Sequence, residues 1–438
     1  MFVVNVLRSL ICISVPLPLT TGIILSSTAG NFFVSGARNI SFLQSKNLVS
    51  KRTLSTCTTV RMRGGSSGSN DRNMESSLLS QLQPSKRQPF VPPMKMKGIF
   101  VGSGSDGMAD ERIVRAILEL TTSNDAGFHD QSNNRKQSYS NINVLYIGTA
   151  TYDLPKYREN QTKRFLEFGC QVSTINLVGS NDEIGTSSSP PIMDLDEMKL
   201  LMDAAHVIVV SGGNTLYAID KWNNVGLDKL IYDAMNRGVV LTGGSAGAIC
   251  WFQGGHSDSM DPETYKSAMV SKGNHVSEDD SNDRNEPCKE WNYIRVDGLG
   301  LLPGLVCPHF DKTQSNGVAR SVDFDSMLLK RHSGELGIGI DHWAALVIHG
   351  EKYRVISLPG KPGSVMISQS SDAGGERVVT QSLSQEGTPG IWIKEVKDGT
   401  ICSTLCPKEG YVKDLLFVTP ADAISKDPLA DKCRRENI

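Results

Sequence analysis

The chain has 438 residues and carries 45 Lys+Arg against 47 Asp+Glu, a formal net charge of −2. That balance produces no field of the kind a polyanion requires, so no nucleic-acid partner is expected. The nine cysteines are scattered and form no CxxC pair, which argues against a zinc site; free thiols in a reducing compartment are expected, with no metal.

Residues 1–70 contain no Asp or Glu, while Arg8, Arg38, Lys46, Lys51, Arg52, Arg61 and Arg63 supply only positive charge. An acid-free, basic, hydroxyl-rich leader has the composition of an organellar transit peptide, for a plastid or a mitochondrion. The alternatives are a secretory signal built on the apolar stretch Leu10–Leu25, or a cytoplasmic chain with an unaddressed tail. Pro16 and Pro18 interrupt that stretch and make it a poor membrane span, so no stable span is expected in the mature form. Residues 71–94, rich in Ser, Asn, Gln and Pro, read as a linker. The folded domain is expected over 95–370, followed by a partly stranded extension over 371–438.

Within the domain, Gly98–Gly102 is a short apolar run ending in glycine, the pattern of a buried strand. Asp110–Leu120 has helical spacing, with Ile113, Ala116, Ile117 and Leu120 on one face. Asn143–Gly148, Gln171–Leu177, His206–Val210 and Gly238–Thr242 read as further strands. Pro155–Phe168, Met193–Ala205 and Leu227–Arg237 read as the helices between them. Alternation of apolar strands with helices predicts an α/β fold, a mostly parallel sheet covered on both faces in three layers. Ligands of such sheets sit at the carboxyl ends of the strands. In the second half, Leu336–Ile340, Ala344–His349 and Lys352–Leu358 suggest antiparallel strands that close the domain. The polar segment Lys266–Glu290 reads as a surface insertion.

Chemistry concentrates in Gly243-Gly244-Ser245-Ala246-Gly247, a G-x-S-x-G sequence that follows a strand and precedes an apolar segment, Ala248–Phe252, suited to begin a helix. A nucleophile on such a turn is held in a strained conformation. The helix N-terminus beside it offers free N–H groups, and that of Ala246 is a natural oxyanion donor. A phosphate-binding or plain turn is the alternative reading. After the preceding strand come Ser211-Gly212-Gly213-Asn214-Thr215, where Gly212 and Gly213 let backbone N–H groups approach a ligand. They are candidates for the second oxyanion donor. Asn214 either contributes to substrate binding by ordering this loop or caps the next helix.

A serine nucleophile needs a base. Among the eight histidines, His206 is expected to pack against its strand, and His129, His256, His275, His332 and His349 are expected to be solvated. His309 differs, because an apolar run, Leu301–Cys307, and the rigid Pro308 deliver it to a fixed place.

Three blocks in order, Ser211–Thr215, Gly244–Ala248 and Leu299–Pro303 leading to Pro308-His309-Phe310, resemble peptidase family S51, which includes peptidase E and cyanophycinase. The resemblance covers about Met96 to Ile367. It implies a fold similar to class I glutamine amidotransferases with Ser in place of the Cys nucleophile, a nucleophile elbow, a Ser-His-acid triad and no cofactor. Ser245 matches the family nucleophile and His309 its histidine. Asp258 matches an Asp that supports activity and would hold a substrate amino group or stiffen its loop. The implied substrate is a small peptide, with a dipeptide carrying an N-terminal Asp or a cyanophycin-like aspartyl-arginine peptide as candidates. An acidic residue would need a cation, for which Arg320 is available unless it is a solvated surface residue. A homodimer is a further expectation.

The third triad member departs from the family pattern. The expected Glu or Asp is replaced by His342, with Asp341 just before it. Neighbours on a strand point to opposite faces, which leaves three outcomes: Asp341 orients His309 after a local shift, His342 does so through one ring nitrogen, or the triad is incomplete and the chain binds without turnover.

Overall fold

In Val207-Ile208-Val209-Val210 every residue is fully buried, yet successive side chains enter different cores. Val207 and Val209 join Ile99, Val101, Val144, Tyr146 and Val240 on one side of a sheet. Ile208 and Val210 join Phe100, Leu145, Ile147 and Leu241 on the other. This explains the continuous apolar run, since a strand covered on both faces has no polar side to present. Each such side chain contributes roughly 1.5–3 kcal/mol relative to exposure.

The computed structural model describes residues 87–123, 139–178, 192–274, 290–373 and 376–437. The leader 1–70, most of the 71–94 linker and part of the Lys266–Glu290 insertion lie outside them. The described residues fall in the unit Leu78–Ile438. Its main sheet has eight strands, in the order Glu409–Tyr411, Lys352–Ser357, Ala344–His349, Lys97–Val101, Val240–Gly244, Val207–Val210, Asn143–Ile147, Gln171–Ile175. The last five are mutually parallel, and each of the first three pairs antiparallel with its neighbour. The helix Glu111–Thr122 covers one face. The helices Leu195–Ala204, Thr215–Val225 and Leu227–Arg237 cover the other, completing three layers.

Helix ends follow local chemistry. Asp110 caps the first helix through the Arg112 N–H, and Asp194 forms a capping box with Glu197. The helix Leu227–Arg237 lies between Gly226 and Gly238, both with positive φ.

A second sheet, of six strands, was not separable in the sequence. Its order is Thr400–Leu405, Ile391–Lys397, Gly337–Ile340, Leu302–Cys307, Phe252–Ser257, Ile294–Asp297. One of its faces shares the core of the main sheet, and the helix Arg320–Arg331 covers the other. Three expectations are thereby corrected. Gly337–Ile340 does not close an antiparallel set but lies parallel to Leu302–Cys307. The segment after Ser245 makes only one helical turn, Ala246–Ile249, before becoming the strand Phe252–Ser257. The segment 371–438 is no appendage, because Ile391–Lys397 pairs with Gly337–Ile340 and Glu409–Tyr411 with Lys352–Ser357. At the other end, Gln88–Pro89 already pairs with Phe417–Val418, ahead of the expected domain start.

Candidate active site

Ser245 is the residue at which the strand Val240–Gly244 turns into the helix Ala246–Ile249, and its backbone sits at φ 55° and ψ −120°. That region is costly for any residue with a Cβ and persists only where the surroundings enforce it. The enforcement is visible in the glycines. A Cβ on Gly244 would lie 1.9 Å from the Ser103 carbonyl oxygen, and one on Gly247 would lie 2.3 Å from that of Val210. The turn therefore fits only while neighbouring strand ends press directly against bare backbone. The Ser245 N–H bonds the Val101 carbonyl at 3.2 Å, which ties the turn to the adjacent strand.

The carboxyl ends of four parallel strands contribute to one cavity of about 230 Å³. Gly104 caps, and Ser105 and Asp106 open, the one-turn helix Ser105–Met108 that follows Lys97–Val101, and Thr151 comes from the segment after Asn143–Ile147. Gly212 and Gly213 follow Val207–Val210, and Ser245 follows Val240–Gly244. Met269, from the segment expected to be a surface insertion, also lines it. In the Gly212–Gly213 loop, the Ser211 N–H goes to Ile147 and that of Asn214 to Ala150, and these bonds fix the loop from both sides. Ala246 opens its helix, so its N–H has no intrahelical acceptor. Asn214 caps the helix Thr215–Val225, accepting from the Tyr217 N–H at 3.0 Å and donating to Ser259 and Thr264; it does not line the cavity.

The second sheet supplies His309 and His342, which line the same cavity. They follow Leu302–Cys307 and Gly337–Ile340, neighbouring parallel strands, so their loops emerge side by side. Their Nδ1 atoms are 2.7 Å apart, the distance of a hydrogen bond. His309 has φ 50°, and its N–H bonds the Gly102 carbonyl at 3.0 Å. The backbone N–H of His342 is held by the Asp311 carboxylate at 2.6 Å. With Nδ1 engaged, Nε2 is the His309 nitrogen left for chemistry. Burial, followed by the positive charge of Arg320, pushes the His309 imidazole well below its ordinary pKa, so it is neutral at physiological pH.

Asp341 is not brought to His309. Its buried carboxylate accepts from the Ser364 N–H at 3.0 Å, the Ser364 hydroxyl at 2.6 Å and the Gly390 N–H at 2.9 Å. Arg320 is not a solvated residue either. It is wholly buried behind the site, bonding Asp258 at 3.1 Å, Gln314 at 3.1 Å and the His256 carbonyl at 2.6 Å. Burial works to raise the Asp258 carboxyl, but the Arg320 guanidinium outweighs it and holds the carboxyl below its ordinary value. Neither residue lines the cavity. Removing one partner strands a buried charge, so Arg320→Met is expected to destabilise the fold by about 3–5 kcal/mol. Denaturant unfolding would measure this, and a loss under about 1 kcal/mol would mean that Asp258 finds water or another partner.

The remaining histidines depart from expectation. His256 is fully buried with Nε2 at 2.9 Å from Asp323, and burial lowers its pKa to about 4. His332 and His349 are buried as well, whereas His206 is exposed and its Nδ1 accepts from the Asn143 N–H. His129 and His275 lie outside the described residues. Among the described residues, no group of three or more His, Cys, Asp or Glu is arranged to hold a metal ion, and no helix is long and apolar enough to cross a membrane.

The residue that sequence reasoning missed is Asp106. Its Oδ2 lies 3.8 Å from His342 Nε2. The available signal was Gly102-Ser103-Gly104-Ser105-Asp106-Gly107, a glycine-rich loop at the carboxyl end of the first strand.

The model of peptidase family S51 matches residues 123–356, a span that includes Ser245, His309 and His342. The chain is 30% identical over 334 residues to a Trypanosoma brucei brucei protein named G2/mitotic-specific cyclin-1, covering 76% of this chain and 91% of that one. It is 30% identical over 168 residues to the uncharacterized peptidase YgaJ of Bacillus subtilis, covering 38% of this chain and 54% of that one. A crystal structure of a peptidase from an acI-B1 Actinobacterium aligns with TM-score 0.41 and 18% identity, over 69% of this chain and 97% of that one. A putative peptidase E protein from Listeria monocytogenes EGD-e aligns with TM-score 0.36 and 17% identity, over 60% and 98%.

Proposed function

Since the chain belongs to peptidase family S51, we propose that it hydrolyses short peptides through an acyl-enzyme formed on Ser245. One observation carries this reading: Ser245 holds a strained elbow conformation on a cavity that it shares with His309, a neutral imidazole whose Nδ1 is already engaged. Nε2 of His309 takes the Ser245 hydroxyl proton as the oxygen attacks the scissile carbonyl. The N–H of Ala246, with that of Gly212 or Gly213, holds the oxyanion. His309 then gives the proton to the leaving amine, and water repeats the sequence on the ester. His342 orients His309 in place of an acid.

A cavity of about 230 Å³ admits a residue or two of a peptide and suits a dipeptidase or exopeptidase better than an enzyme acting inside long chains. Ser105, Thr151, Tyr157 and Gln161 give it polar walls. Among the described residues neither Lys nor Arg lines it, whereas Asp106 does. The Asp106 carboxylate on the wall favours neutral or basic first residues over acidic ones.

A fluorophosphonate probe tests the nucleophile. Treatment of the folded protein followed by peptide mapping is expected to place the adduct on Ser245, with no adduct in Ser245→Ala. An intact protein that stays unlabelled at Ser245 would overturn the assignment.

A further inference from the structure

When both rings are neutral, the hydrogen bond between His309 and His342 has a direction, and that direction decides whether the site can work. Each neutral ring has one N–H and one lone pair. Across the 2.7 Å contact of His309 Nδ1 with His342 Nδ1, one nitrogen donates and the other accepts. If His342 donates, His309 carries its own proton on Nε2 and cannot accept one from Ser245. If His309 donates, its Nε2 presents a lone pair to the cavity and the base is competent. The two rings alone do not choose between these states.

The far end of the chain supplies the choice. When His309 donates, His342 must carry its proton on Nε2, the nitrogen that faces Asp106 Oδ2 at 3.8 Å. An ionised carboxylate accepts and never donates, so it favours that arrangement and opposes the reverse. We propose that Asp106 is a positioning residue that sets the tautomer of His342, and through it the base-competent tautomer of His309. This rests on the reading of Ser245 and His309 as nucleophile and base.

Further observations support it. The interaction with His342, working against burial, holds the Asp106 carboxyl below its ordinary value, so it is ionised at neutral pH. The loop is also fixed relative to the rings. The Gly102 carbonyl accepts the His309 N–H, and a Cβ on Gly102 would lie 1.9 Å from the Asp341 carbonyl oxygen. The first strand's end is thus pressed against the backbone that carries both histidines. A separation of 3.8 Å is longer than a formed hydrogen bond, and catalytic contacts of this kind are often long before substrate binds.

The test uses Asp106→Asn, which keeps the size of the side chain but offers N–H donors to His342, and Asp106→Glu, which restores an acceptor. Nitrogen-15 NMR of histidine-labelled protein reads the tautomers without turnover. Wild type is expected to show His309 protonated on Nδ1 and His342 on Nε2. Asp106→Asn should show a mixed or reversed population, with Asp106→Glu returning toward wild type. In parallel, kcat for a dipeptide should fall about 10- to 100-fold in Asp106→Asn with KM nearly unchanged. That is less than the roughly 10^4-fold lost when an acid directly bonded to the base is replaced, because Asp106 acts one ring further away. Unchanged tautomers with kcat within twofold of wild type would overturn the proposal. So would equal losses in both variants without a tautomer change, which would mark the loop as merely structural. Failure of Ser245 to take the fluorophosphonate would instead sink the hydrolase reading and leave the tautomer result standing.

Discussion

Ser245→Ala is expected to lower turnover by about 10^6-fold while the protein remains folded. The substitution removes one oxygen and keeps the Cβ, so the neighbours that enforce φ 55° meet the same backbone. Nothing in the turn depends on a larger side chain there; the constraint falls on Gly244 and Gly247, whose Cβ positions are filled by other strands' carbonyls. A residual rate of about 10^3–10^4 over the uncatalysed reaction should persist, because the substitution leaves in place the N–H groups proposed as oxyanion donors. Steady-state hydrolysis of a dipeptide by matched amounts of folded wild type and variant measures it. Turnover within tenfold of wild type would mean that another residue or a bound water attacks the substrate.

The parts of this site that were legible in the sequence are those whose cause is local. A strand buried on both faces needs an unbroken apolar run, and Val207–Val210 is one. A nucleophile elbow needs small residues on either side of the serine, and Gly244 and Gly247 provide them. His309 stood out because Pro308 and the apolar strand before it fix its position. Gly226 and Gly238 delimit the helix between them because each takes positive φ.

What stayed hidden depends on residues far apart in the chain. Phe252–Ser257 contains Gly254 and Gly255, poor strand formers by themselves. They are glycines because Arg295 and Ile249 occupy the space where a Cβ would be. Arg320 looked like a surface cation until Asp258 and Gln314 arrived to pair with it. The choice between Asp341 and His342 turned on Ser364 and Gly390, which claim the Asp341 carboxylate from a distant part of the sequence. Asp106 lies in a Gly-Ser-Gly-Ser-Asp-Gly stretch that reads as an ordinary turn and folds as the short helix Ser105–Met108, and it acquires meaning only beside His342.

The second large effect concerns His342 itself. His342→Ala is expected to cost about 10^3–10^4 in kcat, since the His309 ring loses the partner that fixes its orientation and tautomer. His342→Glu should retain more activity, because a carboxylate also accepts from His309 Nδ1, but it should change the pH dependence. In the wild type, burial, then the charge of Arg320 and then that of His342 lower the His309 pKa. A lowered pKa means that the base-competent form persists as pH falls, so kcat/KM should stay level through pH 6, where an ordinary histidine near 6.5 is already protonated. Glu at 342 places a negative charge against His309 and stabilises its imidazolium, which moves the pKa up. The acid limb of kcat/KM should therefore rise toward the ordinary histidine range in His342→Glu. Profiles of kcat/KM against pH for wild type, His342→Ala and His342→Glu would decide the matter. Coincident acid limbs in wild type and His342→Glu, or an unaffected His342→Ala, would remove His342 from the catalytic chain.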